Sequence, residues 1–151
     1  MTAGKQRFGH ADKDAAMAQL LDAPGTCRVL VADDDRDAAD SLVGILKLWG
    51  FTAHAVYDGA RAVLADEALP PSLGLLDINM PRLDGFGAAT VIRSWPGRAM
   101  RLVALTGRDS DSDRVLAVSV GFDAHICKPI GRARLHLLAL EAGPSRRQAA
   151  P

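Results

Sequence analysis

The sequence VLVADDDRD, residues 29–37, places three consecutive aspartates directly after a short apolar run. Residues 29–32 include no polar side chain, which is typical of a strand buried on both faces of a parallel sheet. Asp33, Asp34 and Asp35 repel one another, so the cluster destabilises a fold unless a cation or a lysine lies against it. One aspartate is accounted for as the N-cap of a following helix. The other two predict a charged site at the end of the strand.

Length and composition indicate one ordinary domain. The chain has 151 residues, of which 48% are hydrophobic, enough for a sizeable core. Lys plus Arg and Asp plus Glu both number 18, so there is no basic field and nucleic acid is not expected as a partner. No apolar run approaches the roughly 18 residues of a membrane span. The first residues lack the apolar core of a signal peptide. We therefore expect a cytoplasmic protein without a membrane partner.

The two cysteines, Cys27 and Cys127, have neither CxxC nor metal-ligand spacing. We expect both to be small buried apolar residues in a reducing compartment.

The chain alternates strand-like and helix-like segments. The runs RVLVADDD, FTAHAVYDG, LGLLD, RLVALT and FDAHICK each precede a segment with helical or capping signals. Five such repeats predict an α/β fold with a doubly wound, five-stranded parallel sheet covered by helices on both faces. Residues 27–141 form this domain. Residues 1–26 are predicted to be a partly helical N-terminal extension, and residues 142–151 a C-terminal tail.

Polar side chains collect at the predicted strand ends. Asp33 follows the first strand, Asp77 ends the third, Thr106 ends the fourth and Lys128 follows the fifth. In open α/β sheets ligands bind at the carboxyl ends of the strands, where strand order reverses. Together with Asp34, these carboxylates and the lysine balance one divalent cation, and Asp oxygens are ligands that Mg²⁺ prefers. A carboxylate can also accept a phosphoryl group, giving an aspartyl phosphate.

Four motifs carry a family resemblance: VLVADDD, LLDINMPRLDGFG, LVALTG and GFDAHICKPI. In this order and spacing they resemble the receiver domain of bacterial two-component response regulators, like the single-domain chemotaxis regulator. The resemblance covers about residues 27–141. It implies a flavodoxin-like sheet with strand order 2-1-3-4-5, an order known for the family.

The resemblance implies a metal site and a phosphoacceptor. Asp77 matches the acceptor. Asp33 and Asp34 match the acidic pair that holds Mg²⁺, and Asp34 is the one favoured as the direct ligand. Asp77 itself and the backbone carbonyl of Asn79 complete the protein's share of the metal ligands.

The resemblance also implies phosphate-binding groups. Thr106 matches the switch hydroxyl and Lys128 the phosphate-contacting lysine, while Gly107 offers its backbone N–H and Asn79 lies beside the phosphoryl group. The Lys128-Pro129 bond corresponds to one that is usually cis in the family.

One position departs from the family pattern. Three residues before the lysine the family usually has Tyr or Phe, whose swing reports phosphorylation, and here the residue is His125. We expect His125 to act with Thr106 in the output switch rather than in the acceptor chemistry. The stretch GFDAHICKP is similar to receivers attached to hybrid histidine kinases.

Three functions fit these residues. The favoured one is a stand-alone receiver that accepts a phosphoryl group from a histidine kinase or a histidine phosphotransfer protein. It signals to an unidentified output protein through the face formed by the fourth helix, fifth strand and fifth helix. Such a protein catalyses only its own phosphorylation and dephosphorylation. No DNA-binding domain is expected, because few residues follow the last helix, and both monomer and homodimer are compatible with the sequence.

The alternatives are a receiver-fold binding module that works without phosphorylation and a magnesium-dependent phosphatase. The phosphatase is less favoured because the Asp-x-Asp-x-Thr signature of aspartate-nucleophile phosphatases is absent: Asp77 is followed by Ile78 and Asn79.

Overall fold

The structure is a computed structural model that describes residues 27–68, 71–95, 100–107 and 111–142. Strands and helices alternate along the chain in the order β1 (Arg28–Ala32), α1 (Arg36–Leu48), β2 (Thr52–Val56), α2 (Gly59–Ala68), β3 (Leu73–Asp77), α3 (Gly85–Ser94), β4 (Arg101–Thr106), α4 (Asp111–Val120), β5 (Ala124–Cys127) and α5 (Arg132–Ala142). The predicted N-terminal extension and residues 143–151 lie outside the described residues.

The five strands form one parallel sheet in the order β2-β1-β3-β4-β5, as expected. The chain runs outward from β1 to β2 and then in the other direction from β3 to β5, so strand order reverses between β1 and β3. In this pair Ala32 lies opposite Leu76. The residues that follow, Asp33 and Asp77, therefore leave the sheet side by side at the reversal point, where ligands bind in folds of this kind.

One face of the sheet packs against α1 and α5. Its core includes Ala39, Val43 and Leu46 from α1 and Leu135, Leu138 and Ala139 from α5, packed on Val29, Val31, Leu73, Leu75, Val103 and Leu105 of the strands. The opposite face packs against α2, α3 and α4. There the strands contribute Leu30, Ala32, Leu76, Leu102 and Ala104, and the helices contribute Ala62, Ala88, Ala89, Ile92 and Ala117. Adjacent residues of the central strands are thus buried on opposite faces, which explains their continuous apolar sequence.

Helix ends follow local sequence signals. Asp35 caps α1, where its side chain accepts a hydrogen bond from the Ala38 N–H, and this is the role predicted for the third aspartate of the opening run. After α1 the chain turns at Gly50, whose φ of 96° lies in the left-handed region that glycine adopts without a steric penalty.

The expectation that both cysteines are buried is half wrong. Cys27 is buried, but Cys127 is exposed. Cys127 is the last residue of β5, and β5 lies at the edge of the sheet, so one side of this residue has no neighbouring strand. Within the described part of the chain, the helices are too short or too polar to cross a membrane.

Candidate phosphoacceptor and cation site

Asp33 lies directly after β1 and is 1% exposed. Its Oδ1 accepts a hydrogen bond from the Asp35 N–H at 3.0 Å, and its Oδ2 accepts one from Lys128 Nζ at 2.8 Å. The Asp33 N–H itself donates to the Val56 carbonyl at 3.1 Å, which continues the pairing of β1 with β2 beyond the last strand residue. The backbone thus holds this buried carboxylate in place from both sides.

Asp77 ends β3 and has a similar arrangement. Its Oδ1 accepts a hydrogen bond from the Asn79 N–H at 3.1 Å, while its Oδ2 lies 3.3 Å from Lys128 Nζ. The next residue, Ile78, donates its N–H to the Leu105 carbonyl at 3.1 Å, so the chain stays paired with β4 past Asp77. The side chain is 6% exposed. One lysine therefore faces two nearly buried carboxylates.

Lys128 comes from the other side of the site. Its backbone N–H donates to the Thr106 carbonyl at 2.7 Å, which ties the end of β5 to the end of β4. The peptide bond between Lys128 and Pro129 is cis, as expected from the family pattern. Thr106 is the last residue of β4 and is 1% exposed, so its side chain is buried.

The charges of the site shift two pKa values. Burial raises the pKa of Asp77 from 3.8 to about 6, and the neighbouring Asp33 adds to the increase, against the opposing effects of the Asn79 N–H and the Lys128 charge. Burial by itself lowers the pKa of Lys128. Its hydrogen bond to Asp33 and the negative charges of Asp77 and Asp33 outweigh that effect, so the net shift is upward. Lys128 therefore keeps its positive charge, but this single charge does not fully compensate the negative charges of two buried carboxylates.

Asp34 completes an acidic cluster. One carboxylate oxygen from each of Asp33, Asp34 and Asp77 can be chosen so that all three lie within 4.8 Å of one another. Asp34 is exposed, whereas the other two are buried, so a cation held here has protein on one side and water on the other. Carboxylate oxygens on the protein side, with space for waters on the other side, are ligands that suit Mg²⁺.

The remaining predicted residues lie at or beside this edge of the sheet. Asn79, two residues after Asp77, is exposed. Gly107 is exposed directly after β4, and a Cβ built on it meets no atom within 4 Å, so its backbone lies beside open space.

His125 lies within β5, away from the carboxylates. Its neighbours Ala124 and Ile126 pack against the core on the α1 and α5 side, so His125 points to the α4 side of the sheet. There it lines a pocket of about 360 Å³ together with Arg114, Ala117, Val118, Phe122, Asp123 and Ala124. Among the described residues, His125 Nε2 is buried without a hydrogen-bond partner.

Arg82 lies in the motif LLDINMPRLDGFG, but no local sequence signal indicates its role. Arg82 has a φ of 69° and forms an ion pair with Asp58 at 3.6 Å, which joins the segment after Asp77 to the turn after β2. The two residues are 24 positions apart and belong to no common motif. Their opposite charges are therefore the only sequence feature that is consistent with this contact.

Known proteins resemble this chain in sequence and in fold. The family model described as the response regulator receiver domain matches residues 29–139. The chain belongs to the response regulator receiver family. Curated relatives include the response regulator MprA of Mycobacterium ulcerans, 37% identical over 108 residues, and the transcriptional regulatory protein PrrA of Mycobacterium tuberculosis, 39% identical over 108 residues. Each alignment covers 72% of this chain and 46% of the relative, so the receiver spans about half the length of these proteins.

Solved receiver structures share the fold. The signal receiver domain of NarL from Mycobacterium tuberculosis superposes with a TM-score of 0.71 at 27% identity, over 78% of this chain and 96% of that one. The chemotaxis protein CheY4 of Vibrio cholerae has a TM-score of 0.72 at 20% identity, over 78% and 98% of the two chains, which supports the flavodoxin-like fold alone.

Proposed function

We propose that this receiver accepts a phosphoryl group on Asp77, with Mg²⁺ as cofactor, in a two-component phosphorelay. The observation that carries the proposal is the convergence of two buried carboxylates, Asp33 and Asp77, on the single ammonium of Lys128. A structural ion pair needs one carboxylate, and the second carries a charge that this lysine alone leaves uncompensated. A cation bound at the acidic cluster compensates this charge, and the ionised carboxylate of Asp77 is the nucleophile that accepts the phosphoryl group.

In the proposed reaction, a carboxylate oxygen of Asp77 attacks the phosphorus of a phosphohistidine on the donor protein. The new P–O bond forms as the P–N bond breaks, and the imidazole leaves with the electron pair. Lys128 stabilises the negative charge on the phosphoryl oxygens, and the Thr106 hydroxyl and Gly107 N–H donate hydrogen bonds to them. The phosphoryl group and the free energy for its transfer both come from the P–N bond of the donor. The chain modifies only its own Asp77, so it is not a conventional enzyme.

Asp33, Asp34, Asp77 and the backbone carbonyl of Asn79 are proposed to hold the Mg²⁺ ion. A Mg²⁺ ion held by these residues would supply positive charge to neutralise the transferring oxygens. Because Lys128 already contacts Asp33 and Asp77, the protein's own share of the neutralisation does not depend on the ion.

The proposed partners are a histidine kinase or histidine phosphotransfer protein on the input side and a protein on the output side. The proposed output face comprises α4, β5 and α5. Several large apolar side chains are exposed on its two helices: Val115, Leu116, Val118, Leu137 and Leu140. Exposed large apolar side chains support protein contacts rather than binding of a small polar ligand.

The test is intact-mass spectrometry after incubation with acetyl phosphate and Mg²⁺. The proposal predicts one phosphoryl adduct on the wild type and none on Asp77→Asn, because the amide keeps the shape of the side chain but is not nucleophilic. Asp84→Asn is the matched control. Asp84 is another carboxylate close in sequence, and its cap of α3 survives the change because Asn caps helices as well as Asp does.

Equal labelling of the wild type and Asp77→Asn would assign the acceptor to another residue. No adduct on the folded wild type would instead favour a binding module that works without phosphorylation. Repeated hydrolysis of an added phosphoester would favour the phosphatase.

A further inference from the structure

The turn between β2 and α2 is in unusually close contact with the segment that follows Asp77. Gly59 begins α2, and a Cβ built on it overlaps the carbonyl oxygen of Leu83 and lies 2.8 Å from the Leu83 carbonyl carbon. Both atoms belong to the backbone, so no side-chain rotation relieves the overlap. Any residue larger than glycine at this position has to push Leu83, or α2 itself, out of place.

Neither conformation nor helix propensity explains a glycine here. The φ of Gly59 lies outside the left-handed region, so other residues can adopt it. Alanine is also a better helix former than glycine. The contact with Leu83 is therefore the physical reason why a side chain is excluded.

The pushed segment, residues 78–84, has little freedom to absorb a displacement locally. At its far end the Gly85 N–H donates to the Ile78 carbonyl at 3.2 Å, which closes the segment into a loop. A Cβ on Gly85 would lie 2.5 Å from the Asp77 carbonyl oxygen, so α3 also begins in tight contact with the end of β3. Within the loop Met80 is 8% exposed and packs in the core.

Asn79 lies inside this closed loop, between Ile78 and Met80, and its N–H donates a hydrogen bond to Asp77 Oδ1. A shift at Leu83 is thus transmitted to Asn79 through a short chain with fixed ends. The ion pair between Arg82 and Asp58, which directly precedes Gly59, holds the same two segments together from the solvent side.

We propose that Gly59 is a positioning residue for the cation site. Because Gly59 has no side chain, the Leu83 backbone packs directly against the start of α2. This contact sets the distance of the Asn79 carbonyl from the carboxylates of Asp33 and Asp77. The inference rests on the proposed function, because it takes the Asn79 carbonyl to be a Mg²⁺ ligand.

Gly59→Ala tests the inference, with Gly44→Ala as the matched control. Gly44 lies in the interior of α1, where it is exposed, and its Cβ would meet no atom within 4 Å. Both changes add one methyl group, but only the first meets backbone. Mg²⁺ is titrated into the full-length protein without phosphodonor, and amide shifts give the dissociation constant. Residues that orient metal ligands typically change metal affinity about 10- to 100-fold when replaced, so we expect roughly tenfold weaker binding for Gly59→Ala and no change for Gly44→Ala.

A second readout separates positioning from simple loss of stability. The acetyl phosphate labelling rate of Gly59→Ala should be low at limiting Mg²⁺ and return toward the wild-type rate at saturating Mg²⁺. A lower melting temperature with an unchanged Mg²⁺ dissociation constant would overturn the inference.

If Gly59→Ala is too unstable to titrate, the Gly44→Ala/Gly59→Ala double variant takes its place, because alanine at an exposed position in a helix interior raises stability. Its Mg²⁺ affinity is compared with that of Gly44→Ala alone, and equal affinities would again overturn the inference. Absence of Mg²⁺ binding by the wild type would overturn the proposed cofactor and this inference with it. Wild-type binding that is unaffected by Gly59→Ala would overturn the inference only.

Discussion

Asp77 is a nearly buried carboxylate whose ionised form the apo fold disfavours, since burial raises its pKa to about 6. The folded protein then holds the Asp77 proton more tightly than the unfolded chain does. This contribution to stability is fully present below about pH 4 and is lost as the pH rises through 6. At neutral pH without Mg²⁺, the ionised side chain therefore destabilises the fold.

Asp77→Asn should accordingly be more stable than the wild type in the absence of Mg²⁺. A shift of about two pKa units corresponds to roughly 2–3 kcal/mol, so an advantage of this order is expected above about pH 7. It should decline as the pH is lowered toward about 4.5, where Asp77 becomes protonated. Urea denaturation of both proteins with a metal chelator present, at several pH values, measures it. A difference in the free energy of unfolding that does not vary with pH would contradict the assigned protonation behaviour.

Asp34 is the exposed member of the acidic cluster, so its role can be tested without disturbing the core. Mg²⁺ should stabilise the wild type by mass action, by about 2.7 kcal/mol at a concentration 100 times the dissociation constant. Asp34→Ala should remove most of this gain while leaving the metal-free stability nearly unchanged. Thermal denaturation with and without Mg²⁺ checks the prediction. Equal Mg²⁺-dependent shifts in melting temperature for the two proteins would exclude Asp34 as a ligand.

At the scale of strands and helices, the ends of the elements were easier to predict than their contacts. Apolar runs that stop at a polar residue located Asp33, Asp77, Thr106 and Lys128, because a buried strand must leave the core where its polar residues begin. The cap at Asp35 was predictable for a similar reason, since a short acidic side chain before a helix satisfies its free N–H groups.

Contacts between distant elements left no such local signal. Arg93 on α3 donates hydrogen bonds to the carbonyls of Gly121 and Met100 and forms an ion pair with Asp123. These contacts join α3 to the residue before β4 and to the turn between α4 and β5. Nothing in the sequence near residue 93 indicates these partners. The overlap of a Gly59 side chain with Leu83 is equally invisible, because it depends on how closely α2 approaches a loop 24 residues away.

The packing of β5 against α4 places His125 apart from the proposed acceptor residues, so we expect it to have a different role. Its ring lies on the α4 side of the sheet, in the wall of a 360 Å³ pocket, whereas Lys128 reaches the carboxylates. His125→Phe should therefore keep the acetyl phosphate labelling rate within a few-fold, on the order of 1 kcal/mol in the barrier. It should alter the amide shifts of α4 and β5 that accompany beryllofluoride binding, because an aromatic ring larger and less polar than imidazole lines the same pocket.

Lys128→Ala is the comparison for that experiment, because it removes the cation that contacts both buried carboxylates. We expect it to slow labelling far more than His125→Phe does. If the two variants are equally impaired, His125 belongs to the acceptor site and its assignment to the switch is wrong.

For the molecule as a whole, the sequence pattern predicted alternation and a parallel sheet, but the order of the strands came from the family resemblance. An apolar strand such as Leu73–Asp77 is buried on both faces, so its side chains do not indicate which strands lie beside it. The order β2-β1-β3-β4-β5 is decided by how the helices distribute between the two faces. That distribution depends on packing across the whole domain rather than on any one segment.

Among the described residues, the receiver brings together two apolar cores and the proposed site, and this leads to a prediction about the segment that precedes it. The core residues that the structure describes, and every proposed acceptor, metal and switch residue, lie between residues 27 and 142. Deletion of residues 1–22 should therefore leave the acetyl phosphate labelling rate unchanged and lower the melting temperature by no more than a few degrees. Deletion of residues 143–151 is the matched control at the other end. A loss of about 5 °C or more on N-terminal deletion, which corresponds to roughly 1 kcal/mol for a domain of this size, would mean that the segment packs on the receiver. A slower labelling rate at an unchanged melting temperature would instead mean that the segment reaches the site, because loss of stability would then no longer explain the effect.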